Sequence, residues 1–236
     1  MPESPNQPST YAVLYDIHGN LVALETVLEE AAQLGLTSFI LGGDYATFGP
    51  WPRETVELLQ TLHATVLIRG NVDRWLEEGP EVAANALPFV TTGVNAALQA
   101  LGPELAGWLA TLPAAAELDG VRICHGSPVS DIETFAPHAN ERDERLLAGN
   151  ADRTIVFGHS HVQFQRNGPR GTRLVNPGSV GAPLDGDPRA AWGILADGEI
   201  HFRRTEYDTE RAAARMRSLG EWAAPIVHRI EYGADP

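Results

Sequence analysis

Five short blocks of this chain carry side chains able to hold metal ions: Asp16-Ile17-His18, Gly42-Gly43-Asp44, Gly70-Asn71-Val72-Asp73, His125-Gly126 and Gly158-His159-Ser160-His161. Each follows an apolar run, so oxygen and imidazole donors are delivered repeatedly to the ends of expected strands. In an extended segment residues i and i+2 face the same side, which lets Asp16 and His18 grip one ion together; the same spacing recurs at His159 and His161. Two glycines before Asp44 allow a tight turn that brings its carboxylate inward, and Asn71 adds an amide oxygen. A mixed set of carboxylate, amide and imidazole suits Mn²⁺ first, with Fe, Zn, Ni or Co as alternatives, and not the all-cysteine cage of a structural zinc. Two such ions roughly 3.5–4 Å apart, bridged by one carboxylate, would orient a hydroxide for in-line attack on phosphorus.

The elements that must position these blocks read as alternating strands and helices. A strand over 10–15 ends at the first block. Asn20 then caps a helix with apolar residues at Leu21, Leu24, Leu28, Ala31 and Leu34, closed by Gly35. The run 36–41 is the next strand, Pro52 suits the first turn of a helix that continues over 55–63, and 64–68 is a third strand ending at Arg69-Gly70-Asn71. This βαβαβ rhythm predicts parallel strands. Residues 76–115 turn helical, with segments at 94–101 and 104–112 separated by Gly102-Pro103, and read as an insertion over the third block. Strands resume at 121–124, 154–157 and 173–175. A hairpin over 190–205 turns at Asp197-Gly198, and Thr209 caps a last amphipathic helix ending near Gly220. The organisation expected is a flexible arm at 1–9, one domain over 10–220 and a C-terminal tail at 221–236.

Composition frames the partners. With 236 residues, 43% hydrophobic and 20% charged, the chain reads as a soluble globular protein. No run approaches the ~18 apolar residues of a membrane helix. The proline-rich start lacks the apolar core of a signal peptide, and a lone Cys124 is consistent with a cytoplasmic protein. The net charge of −14, without a basic stripe, argues against a grip on long nucleic acids. Small anionic substrates remain compatible with it, because bound cations supply the local positive charge. A homo-oligomer is compatible with these features.

The blocks and their order, D-x-H, G-D, G-N-x-D, a later His and G-H-x-H, resemble those of the calcineurin-like metallophosphoesterase family across nearly the whole chain. The resemblance implies an α/β fold, a four-layer αββα sandwich of two mixed β-sheets flanked by helices. It further implies a metal-dependent phosphoesterase whose metal-bridging hydroxide attacks a small phosphoester. By the same resemblance Asp16, His18 and His161 hold one ion, Asn71, His125 and His159 hold the other, and Asp44 bridges them, with Asp44, Asn71 and His125 closest to the chemistry. The stretch Asn176-Pro177-Gly178-Ser179-Val180-Gly181 is similar to a signature of the smaller bacterial and archaeal phosphodiesterases. Asp185-Gly186-Asp187-Pro188-Arg189 and Tyr207-Asp208 resemble proteins related to diadenosine tetraphosphatases.

One position departs from the family. Where its third block often carries a His that protonates the leaving oxygen or binds phosphate, this chain has Val72. General acid catalysis typically contributes about 10²–10⁴-fold, so either the leaving groups are good ones, such as phosphoanhydrides or aryl esters, or another group supplies the proton; phosphodiesters or phosphoanhydrides of small molecules are expected over protein phosphomonoesters. Asp73, whose family counterpart orients that His, is expected to be structural. Arg74 and Arg189 are candidates for binding phosphate, beside Asn71. Trp51 and Trp75 flank the second and third blocks and read as local packing, with the lining of a nucleobase pocket as the alternative. Cys124 reads as a core residue, and His63, His138, His201 and His228 carry no assigned role. Two other readings compete: a non-catalytic protein-binding scaffold of the same fold, and a DNA-repair-type nuclease. Scaffolds tend to lose ligands, and repair nucleases carry the missing His and a basic path.

Overall fold

The first third of the chain folds as its hydrophobic periodicity dictates. In the computed structural model, which describes residues 10–79 and 88–236, β1 (Tyr11–Leu14) is buried throughout. It runs through the first block into α1 (Leu21–Gln33), where the Asn20 side chain accepts a hydrogen bond from the Ala23 N–H at 3.3 Å. Val22, Leu24, Val27 and Ala31 form the buried stripe of this helix. Next come β2 (Phe39–Leu41), α2 (Pro52–Gln60), opened by Pro52, and β3 (Ala64–Leu67). β1, β2 and β3 are parallel. The arm expected at 1–9 and residues 80–87 of the expected insertion lie outside the described residues.

Two five-stranded sheets face each other. One has the order β10-β9-β1-β2-β3, with β9 (Ala190–Ala196) and β10 (Glu199–Thr205) forming an antiparallel hairpin at Asp197-Gly198. The other, β4-β5-β6-β8-β7, is built from β4 (Ala115–Leu118), β5 (Val121–Cys124), β6 (Thr154–Val156), β7 (Phe164–Asn167) and β8 (Arg173–Asn176). Its centre, β5-β6-β8, is parallel. Val13, Tyr15, Ile40 and Ile68 of the first sheet meet Ile123, Val156 and Val175 of the second in a dry interlayer. The outer face of the first sheet packs on α1, α2 and the long α4 (Pro88–Ala110), which is broken at Gly102 (φ 70°) before Pro103. The outer face of the second carries a thinner layer, with Phe135 and the four-residue α5 (Asp143–Leu146) over Ile155, Phe157 and Leu174. The αββα sandwich expected from the resemblance is therefore the fold.

Four elements differ from the sequence reading. The third block does not end a strand: Asn71 opens α3 (Asn71–Glu78). β4 begins at the last residue of the stretch read as helical and runs beyond it, paired with β5 through an Asp119-Gly120 turn whose residues have φ 50° and 79°. β7 is a further edge strand whose side chains alternate between half-buried and exposed. Residues 221–236, expected as a tail, form a 3₁₀ turn and α7 (Ala224–Tyr232). Ile226, Val227 and Ile230 of α7 pack with Ala212, Ala213 and Met216 of α6 (Thr209–Arg217). The cap of α6 is Asp208, which accepts from the Arg211 N–H at 2.9 Å, and not Thr209.

Candidate metal centre

The carboxyl ends of β1, β2 and β3 in one sheet and of β5 and β6 in the other converge on one spot. Backbone hydrogen bonds join the first two blocks there: Asp16 N–H to Gly43 O at 3.1 Å and His18 N–H to Asp44 O at 2.9 Å. The local geometry is not extended. Asp16, His18, Asp44, His159 and His161 have φ of 52°, 49°, 59°, 67° and 59°, in the left-handed region that non-glycine residues seldom occupy. Such conformations cost of order 1–3 kcal/mol each and persist where surrounding structure over-determines them. The i, i+2 expectation fails in consequence at the last block. Asp16 and His18 do share a group, which His161 joins, while His159 turns to a second group with Asp44 and His125.

The first group shows what its donors require. His18 Nδ1 donates to Thr47 O at 2.8 Å and His161 Nδ1 donates to Ala182 O at 2.5 Å, since a carbonyl can only accept. Both Nε2 atoms of the neutral rings therefore carry lone pairs, yet they lie 3.1 Å apart. Asp16 Oδ1, 3.5 Å from His161 Nε2, is buried and has no hydrogen-bond partner. Burial pushes His18 below the ordinary imidazole range and His161 well below it, and the charge of Arg229 adds to both shifts. A proton is thus disfavoured between the rings. A divalent cation satisfies both lone pairs and the orphaned oxygen, and 3.1 Å is the spacing of neighbouring nitrogens each about 2.0–2.1 Å from one ion.

The second group is built around Asn71. Its Oδ1 lies 3.1 Å from His125 Nε2 and 2.9 Å from His159 Nδ1. His125 Nδ1 donates to Gly42 O at 2.9 Å, leaving Nε2 facing Asn71 Oδ1 and, at 3.2 Å, Asp44 Oδ2. Burial alone would lower His125, but the Asp44 carboxylate reverses this and raises it to about 10. Burial resists ionisation of Asp44 as well, yet His125 and His18 hold it below the usual carboxylate range. A cation bound here takes the place of the His125 proton. His159 is half-buried, and burial followed by the charge of His125 lowers it to about 4. Asp44 Oδ2 is also 3.8 Å from His18 Nε2, so this carboxylate lies between the two groups.

Buried polar contacts hold the donors in place. Asp73 is fully buried and accepts from Asp44 N–H at 2.7 Å, Tyr45 N–H at 3.1 Å and Gly70 N–H at 2.9 Å, so it ties the second block to the third. Burial first, and then the charge of Asp44, raise it to about 7. The side chain of Val72 is buried while its N–H donates to Asp44 Oδ1 at 3.1 Å. Gly70 allows this approach: a Cβ there would stand 2.0 Å from Asp44 Oδ1. Asn176 Nδ2 donates to Gly158 O at 2.9 Å, and Ser179 Oγ donates to Asp16 O at 2.7 Å. The Asn-Pro-Gly-Ser stretch thus braces the first and last blocks from behind.

The outlying candidates fare differently. Arg74 is forked onto Asp131, at 2.7 and 3.0 Å, and also pairs with Glu78. Arg189 is forked onto Asp187 in an exposed loop. Neither guanidinium contacts the two groups. Trp51 lies under the Arg211 guanidinium at 5.6 Å, and Trp75 packs on the core beneath the first sheet. Sequence reading missed the carbonyls of Gly42, Thr47 and Ala182, which fix three tautomers, and Arg229 of α7, which pairs with Asp235 and whose charge acts on the imidazoles of the first group. No residue-type signal marks a backbone carbonyl, whereas the apolar spacing of Ile226 and Ile230 marks α7.

Comparison with known proteins agrees with this geometry. Residues 10–197 match the calcineurin-like phosphoesterase superfamily domain. The chain is 28% identical to the uncharacterized protein MJ0912 of Methanocaldococcus jannaschii, covering 91% of this chain and 95% of that one. It is 31% identical to the phosphodiesterase YfcE of Escherichia coli K12, over 76% of this chain and 83% of the relative. The crystal structure of a metallophosphoesterase from Sphaerobacter thermophilus superposes with a TM-score of 0.80 at 27% identity, covering 97% of this chain and all of the other. The chain belongs to the calcineurin-like phosphoesterase superfamily and is a hydrolase acting on phosphoester bonds.

Proposed function

We propose that the protein hydrolyses small-molecule phosphodiesters or phosphoanhydrides at a dinuclear centre, with Mn²⁺ as its working ion. The observation that carries this reading is the pair of interleaved donor groups, one with two imidazole lone pairs 3.1 Å apart, with Asp44 between them. Asp16, His18 and His161 would hold one ion, and Asn71, His125 and His159 the other, with Asp44 shared. When bound, two divalent cations supply Lewis acidity at phosphorus and activate a water for in-line attack. The chain's own work is placement. Asp73 and the Val72 N–H fix Asp44 from two sides, and the carbonyls of Gly42, Thr47 and Ala182 fix the rings. His159, the half-buried member, faces the side from which a substrate arrives.

Val72 supports the substrate class. Its buried isopropyl group offers no proton to a leaving oxygen, so the reaction favours leaving groups that depart unaided. Among the described residues no helix is long and apolar enough to cross a membrane. The buried, unpaired Cys124 supports a cytoplasmic site of action. Elemental analysis of the purified protein and an assay panel with Mn²⁺ test the reading. Two ions per chain are expected, with bis-p-nitrophenyl phosphate hydrolysed faster than p-nitrophenyl phosphate. Failure to hold any divalent ion would overturn it in favour of a scaffold, and faster monoester turnover would overturn the substrate class.

A further inference from the structure

Beside His125, on the flank of the second donor group, opens a cavity of about 220 Å³ lined by Arg69, Arg122, Ser127, Ser130 and Asp131 among others. All 17 basic side chains of this protein are arginines, set against 31 acidic residues. Most of these arginines are paired with a carboxylate. Arg69 is not: its one side-chain hydrogen bond runs from Nη1 to Ala110 O at 2.6 Å, and it makes no ion pair among the described residues. Arg122 uses a single nitrogen, Nη1 to Glu117 Oε1 at 3.2 Å, and Glu117 is shared with Arg153 at 3.0 Å. The carboxylate on the cavity wall, Asp131, is already engaged by Arg74. The cavity therefore holds local positive charge within a chain of net charge −14.

We infer that this cavity binds a small tetrahedral oxyanion of the phosphate class, gripped by the unused guanidinium donors of Arg69 and Arg122, with the Ser127 hydroxyl on the same wall. Guanidinium forks match oxyanions, and charge-assisted hydrogen bonds are about twice as strong as neutral ones. Size decides against a larger guest: the volume lies below the roughly 300 Å³ at which pockets for drug-sized ligands begin. Arg69 immediately precedes Gly70-Asn71, and Ser127 lies two residues after His125, so the cavity and the second donor group share two chain segments. Free inorganic phosphate and the distal phosphoryl group of a longer substrate present the same chemistry to it.

Equilibrium dialysis of labelled inorganic phosphate against the Mn²⁺-loaded protein tests the site without any turnover. The wild type is expected to bind two phosphates per chain, one at the metal centre and one here. Arg122→Gln, on a partly exposed strand position, and Arg69→Gln should each bind one, with about tenfold or greater loss at the second site. Equal stoichiometry and affinity in the wild type and both variants would overturn the inference. A failure of the dinuclear reading looks different: the wild type would bind one phosphate and Arg122→Gln none. The two sources separate kinetically. An Arg122→Gln rise in KM for a dinucleoside polyphosphate, with bis-p-nitrophenyl phosphate unaffected, marks a distal-phosphoryl subsite. Unchanged KM for both, with one phosphate lost, marks a site for the free ion.

Discussion

The two donor groups are built from similar residues yet solve different problems. In the first, His18 and His161 are 4% and 5% exposed and point lone pairs at each other, with an orphaned carboxylate oxygen alongside. In the second, His125 is buried, but an amide oxygen takes part and His159 is half-buried. The first group has little use for its atoms apart from gripping a cation. The second keeps an open flank toward solvent. On the proposed dinuclear reading, the first group would hold its ion more firmly and the second would exchange its ion more readily.

Mutations can break or sharpen that contrast. The largest effect is expected at the shared residue: Asp44→Ala should lower activity by about 10³-fold or more and reduce the bound metal below two ions, as read by elemental analysis. Next comes the difference between the groups. His161→Ala should lose one ion outright and slow turnover by roughly 10²–10³-fold. His159→Ala should weaken its ion by about 10–100-fold and recover when Mn²⁺ is raised. Identical metal dependence in the two variants would erase the proposed asymmetry. Asp73→Asn, which touches no ion, should weaken metal binding by about 10–100-fold through the loosened Asp44, measured by titration of Mn²⁺. The smallest effect is a gain. Val72→His should speed alkyl phosphate turnover by about tenfold and leave substrates with good leaving groups, such as p-nitrophenyl esters, unchanged. No change for either would show that another group already supplies the proton.

Much of this centre was legible because each donor block follows an apolar strand, and strand-then-turn punctuation is a local signal. The order of the blocks extended that legibility to the fold. The rest depended on chain geometry that residue types do not encode. Nothing in Asp-Ile-His announces a left-handed Asp16 and His18, so the i, i+2 argument placed these two side chains in one group on a backbone that is not extended, whereas His159 and His161, at the same spacing, stand in separate groups. Asn71 was placed on a strand because the apolar run 64–68 precedes it, whereas Asp73, reaching back to accept from the Gly70 N–H at 2.9 Å, marks the start of a helix. Two edge strands escaped notice for separate reasons. β7 has weak apolar alternation, and β4 follows α4 after only four residues, 111–114, in which Pro113 is the one breaker. The Asp119-Gly120 turn carried the same signal as Asp197-Gly198 and marks that hairpin equally well.

The placement of the donors also has a mechanical consequence. Asp16 and Asp44 hang from the ends of one sheet, while His125, His159 and His161 follow strands of the other. Coordination would therefore rivet the two sheets together at one edge. An ion binding only the folded chain adds about 2.7 kcal/mol of stability at a hundred times its dissociation constant, and here that tension falls on the seam between layers. Chelation should accordingly speed amide exchange at the tops of β1, β2, β5 and β6 before it reaches α1 or α4.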